Sequence, residues 1–202
     1  MTRSFLAHFE LPEAAYAVEC LLDQALVAYE HGRDRKMLWL AELARKVAQR
    51  CGDSEGESCS VLLAGVSLAL LGRRGEAAER LRRAARTLHD SSRYSQQKHE
   101  ALALLALGAV LERQNPRDLA EPLVCFQRAL GILEALWDST RMKGDWQEQQ
   151  RLADLYADAQ TAIDICLSRT AEPVILDTAS DVIRSRQGRD GWVDREARVL
   201  VT

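Results

Sequence analysis

The residues able to do chemistry are few and widely spaced. Arg93 and His99 stand on either side of YSQQK. A histidine there could give or take a proton near neutral pH, and an arginine could stabilise developing negative charge. His8, His31 and His89 stand isolated. Cys20, Cys51, Cys59, Cys125 and Cys166 are odd in number, and their spacing matches neither a zinc site nor a disulfide framework. Cys20, Cys125 and Cys166 fall among apolar residues at helical spacing and read as small core hydrophobes. No HExxH, GxSxG, P-loop or GxGxxG occurs, so no catalytic residue, metal or cofactor is expected. Arg73, Arg74, Arg80, Arg82, Arg83 and Arg86 crowd one stretch and could grip phosphates or an acidic peptide. They cover more than one helix face, alternate with Glu76 and Glu79, and have no aromatics between them. The simpler reading is a solvated helix surface.

The elements that must position these groups are helical. Hydrophobic residues are 47% of the 202, charged residues 28% and aromatics 5%, and four prolines are few. Alanine, leucine, arginine and glutamate dominate, which favours helix over sheet. The formal net charge of -3 gives no global field toward nucleic acid or an anionic membrane. No stretch approaches the ~20 apolar residues of a membrane span, and the N-terminus has no apolar run of signal-peptide length. Free thiols suit a reducing cytosol, so a cytoplasmic location is expected.

The periodicity predicts about seven helices. They cover 12–29, 34–50, 58–71, 76–88, 96–113, 119–138 and 145–168. His31-Gly32 and Cys51-Gly52 read as stops, and GDSEGE (52–57) and HDSSRYS (89–95) as polar links. The third helix is apolar nearly all round, as for a helix buried on several sides. Phe5, Leu6, Phe9 and Leu11 would cover the first helix. Trp39, Trp137 and Trp146 read as core or helix-end packing. Residues 1–170 are read as one helical domain and 171–202 as a short extended or β-hairpin tail around QGRDG.

Two blocks repeat. Leu62–Leu88 and Leu104–Leu133 each hold a helical run around a glycine, a polar break, and a second helical run rich in alanine. Gly108 follows Gly65 by about 43 residues, a period typical of stacked helical arrays. The blocks resemble a tetratricopeptide repeat. Gly65 and Leu68 fit its first helix, and Ala77, Leu81 and Ala84 its second. Gly108 and Leu111 fit the next first helix. Phe126 and Ala129 fit the second after about two extra residues in the QNPRD turn, with Pro122 where a small alanine is usual. The period exceeds the family's usual length of about 34. The resemblance implies an all-α fold, antiparallel hairpins stacked as a tetratricopeptide-like array. A four-helix-bundle-like packing is the alternative.

The resemblance also implies a non-catalytic scaffold or adaptor that binds a peptide or partner protein in a helical groove. Candidate contacts are Ser60, Ser67, Gln97, His99, Glu100 and Glu112, with Arg82 and Arg86 on the fourth helix. Trp192 would anchor the tail to a partner or a second copy. Two alternatives stand beside this. Arg93 and His99 resemble the arginine–histidine motif of HEPN-type helical ribonucleases, with Tyr94 where a polar residue is usual. A regulatory domain taking a small ligand between helices is the other.

Overall fold

A computed structural model describes residues 11–89 and 93–171. Among these the chain is helical throughout, without a strand. Its seven helices are α1 (Leu11–Glu30), α2 (Asp34–Cys51), α3 (Ser54–Leu70), α4 (Arg74–Leu88), α5 (Tyr94–Gln114), α6 (Ala120–Lys143) and α7 (Trp146–Ala171). The expected aromatic cover from Phe5, Leu6 and Phe9, and the expected tail with Trp192, lie outside the described residues. The chain forms two compact units, one ending at Ala103 and one beginning at Leu104, within α5.

In the first unit α1 packs on α2, α2 on α3 and α3 on α4, and α1 also reaches α3. The turn from α1 to α2 and the turn from α3 to α4 are built alike. Gly32 and Gly72 take φ of +63° and +76°, a region that costs a residue without Cβ nothing. The next N–H then reaches back to the helix, from Arg33 to the Ala28 carbonyl at 2.8 Å and from Arg73 to the Leu68 carbonyl at 2.9 Å. This closes the last helical turn and sends the chain back antiparallel.

The supposed linker GDSEGE is mostly helix. Asp53 accepts the Gly56 N–H at 2.8 Å, and Glu55 and Glu57 sit in the first turn, where the helix N-terminus favours negative charge. α3 therefore starts at Ser54. At the other end of the chain α6 runs on past Asp138 to Lys143 and ends at Gly144, whose φ is 71°.

Small residues let the hairpins close. A methyl group on Gly65 of α3 would lie 2.7 Å from the Leu81 Cγ of α4, and one on Gly108 of α5 would lie 2.6 Å from the Phe126 ring of α6. The two extra residues between Gly108 and Phe126, compared with Gly65 and Leu81, are taken up around Asn115–Leu119. Leu68, Ala77, Leu81 and Ala84 are buried in the first unit, and Leu111, Phe126 and Ala129 in the second. α3 is buried without a break from Ser60 to Leu68, which suits its all-round apolar sequence. In the second unit α6 packs on α7, and Leu133 and Leu136 of α6 and Leu152, Leu155 and Ile163 of α7 are buried.

Two tryptophans depart from expectation. Trp39 is 62% and Trp146 71% exposed. The buried stripe of α2 is Met37, Leu40, Ala41 and Ala44. One residue step turns a side chain by about 100°, so Trp39 leaves the stripe that Leu40 occupies. Trp137 is half-buried.

Candidate functional site

In the first unit, α3 and the start of α5 bring Cys59 against His99. The sulfur lies 3.3 Å from Nδ1 and 3.4 Å from Nε2. Burial holds the His99 imidazole below the usual histidine range, against the opposing pull of Glu55. Burial also pushes the Cys59 thiol up to about 12, helped by Glu55 and Asp53. Both shifts favour the uncharged forms, and nucleophilic chemistry needs the thiolate, which burial here disfavours. Arg93 is exposed just before α5, and its carbonyl accepts the Gln97 N–H at 3.0 Å.

His89 is not isolated: its Nδ1 lies 3.0 Å from Oε1 of Glu100, whose carboxylate is almost fully buried. His31 bonds the Val27 carbonyl at 2.7 Å. Neither the Cys59–His99 nor the His89–Glu100 pairing has a signal in the sequence, because each joins residues on different helices or turns.

The candidate contacts divide by what already holds them. Ser67 is fully buried and donates to the Leu63 carbonyl at 2.7 Å, and Ser60 donates to the Gly56 carbonyl at 2.6 Å. Both hydroxyls are buried and donate within α3. Glu100 is buried as well, at 3% exposure. Gln97 is half-buried on α5. In the second unit Glu112 takes Arg169 Nη1 at 2.6 Å, while Arg169 Nη2 reaches the Pro116 carbonyl at 3.4 Å. That clasp ties α7 to the end of α5.

The arginine face is partly committed. Glu42 of α2 sits between Arg80 of α4 at 2.9 Å and Arg45 at 3.0 Å. Arg73 grips Glu76 with two bonds in the open. Arg82, Arg83 and Arg86 line a broad recess of about 750 Å³ with Arg45, Arg80, Glu76, Glu79 and Thr87. Basic charge dominates it, and two carboxylates temper it.

A smaller recess of about 470 Å³ lies on the α6–α7 hairpin, lined by Leu133, Glu134, Trp137, Asp138, Leu152, Ala153 and Tyr156. The Tyr156 hydroxyl donates to Glu134 at 3.3 Å. Desolvation and that carboxylate hold the phenol above its usual range. Tyr156 stands at the edge of α7, 37% exposed. No cluster of three or more metal-ligating side chains occurs among the described residues, and no helix there is long and apolar enough to cross a membrane. No family model matches the chain, and no curated protein matches it.

Proposed function

We propose that the chain is a non-catalytic protein–protein interaction module, a scaffold or adaptor of tetratricopeptide-like type acting in the cytoplasm. The observation that supports this reading is the interlock repeated once in each unit: a large side chain seated over a glycine closes a helical hairpin. Hairpins closed in this way keep one helix surface for the neighbouring hairpin and leave another open to a partner. Aromatic side chains stand on the open surfaces, Tyr16 on α1, Trp39 on α2 and Trp146 on α7. Exposed aromatics of this size are the residue types that carry binding energy at protein interfaces. In this reading the tail adds a second contact through Trp192.

The test is affinity capture from the native host, with the full chain and with Trp39→Ala and Trp146→Ala as baits. A partner held in near-stoichiometric amount by the full chain, and weakened by at least one substitution, is the expected result. Metal-independent RNA cleavage abolished by His99→Ala would overturn the reading in favour of a ribonuclease. So would a chain that retains no protein at all.

A further inference from the structure

The recess on the α6–α7 hairpin combines an apolar floor, aromatic walls and a negatively charged rim. Its floor is apolar, from the buried Leu133 and Leu152. Trp137 and Tyr156 supply aromatic surface, and Glu134 and Asp138 supply negative charge at the rim. The two carboxylates stand one helical turn apart on α6, a spacing at which like charges repel. Neither forms an ion pair with a basic side chain of the described residues. The Tyr156 hydroxyl donates to the Glu134 carboxylate at 3.3 Å, which ties the rim charge to one of the aromatic side chains. Its volume of about 470 Å³ falls within the range of pockets that take a small group whole.

We infer that this recess receives an arginine side chain presented by a peptide segment of a partner protein. The inference rests on the reading of the chain as an interaction module. Charge complementarity selects a cation, because two neighbouring carboxylates with no basic side chain of the described residues beside them gain most from a positive charge. The apolar floor selects a cation with a hydrocarbon stem, which lies on leucine while its head stays at the rim. The aromatic pair favours guanidinium over ammonium: it is planar, weakly hydrated, stacks on rings, and forks onto a carboxylate.

Calorimetric titration of the full chain tests this with three probes. One is a capped five-residue peptide with a central arginine between alanine and leucine residues. The second carries uncharged citrulline at the same place, and the third is arginine amide alone. The arginine peptide should bind at least tenfold tighter than the citrulline peptide. The E134Q/D138N variant should lose that preference while its Tm stays level or rises, since the substitution relieves the like-charge pair. Equal binding of the two peptides overturns the proposal, as does a preference that survives in E134Q/D138N. Arginine amide binding as tightly as the peptide assigns the recess to a free cation and overturns the partner peptide. The probes read the recess alone, so their failure leaves a host partner still captured. Failure of the module reading shows instead as a chain that retains no host protein.

Discussion

Replacing Gly108 by alanine tests the packing on which the hairpin interlock rests. The added methyl would stand 2.6, 2.8 and 2.9 Å from Cε1, Cζ and Cδ1 of Phe126. Carbon atoms pack at about 3.5–4.0 Å, so the ring must retreat by roughly 1 Å. Phe126 is 1% exposed, and a flat ring in closed surroundings cannot clear three contacts by a small torsion. Overpacking of this kind costs about 1–3 kcal/mol. The same substitution gains about 1 kcal/mol of helix propensity, which leaves a net loss of roughly 0–2 kcal/mol. Gly131 of α6 supplies the control, because a methyl there meets nothing within 4 Å. Gly131→Ala should therefore show the propensity gain alone, about 1 kcal/mol. Urea unfolding followed by helical circular dichroism, compared at equal m, measures both. Phe126→Leu in the Gly108→Ala background removes the crowded ring atoms and should show favourable coupling in a double-mutant cycle. If Gly108→Ala stabilises as much as Gly131→Ala, the ring does not bear on the glycine and the reasoning fails.

Other outcomes follow from the polar pairs. The folded-state pKa of His99 is depressed by burial, so the folded chain binds fewer protons there than the unfolded one. Its contribution to stability is fully present above the ordinary histidine range and is lost as pH falls through the folded value. Urea midpoints from pH 8 down to 5 should fall less for His99→Gln than for the unsubstituted chain. With its thiol at about 12 instead of 9.0, Cys59 holds about a thousandfold less thiolate than an open cysteine at pH 8. Mass spectrometry after iodoacetamide should find Cys59 alkylated only when the chain is unfolded. Arg169→Ala strips Glu112 of a charged hydrogen bond at 2.6 Å. It should cost about 1.5–3 kcal/mol in the same urea assay.

Much of the interlock could be read from residue types. The spacing of Gly65 and Leu81 carries it directly, and the longer spacing of Gly108 and Phe126 carries it once the QNPRD turn is allowed extra residues. Helical periodicity also located every described helix, because the apolar stripes of α2 and α4 are clean. The errors came where polar residues play a local role that composition hides. Ser54, Glu55 and Glu57 look like linker, yet the Asp53 carboxylate caps the helix that contains them. Trp39 was assigned by its apolar nature, although its register on α2 already set it apart from Met37, Leu40 and Ala44. The Cys59–His99 pair and the Glu112–Arg169 clasp depend on which helices meet, and a single chain read in order carries no such signal. The recess between Trp137 and Tyr156 was hidden for the same reason. Its two sides come from α6 and α7 and face each other only after the hairpin closes.

The order in which the first unit packs also shapes how it comes apart. Each helix rests on the one next in sequence, with α1 reaching on to α3. Few long loops need closing before such contacts form, so the folding barrier carries little loop entropy. Stability then accumulates segment by segment along the chain. The N-terminal hairpin of α1 and α2 should form its own foldon and open before α3, whose amides are shielded from Ser60 to Leu68. Native-state hydrogen exchange should resolve it as a graded series of openings, with the amides of α3 outlasting those of α1.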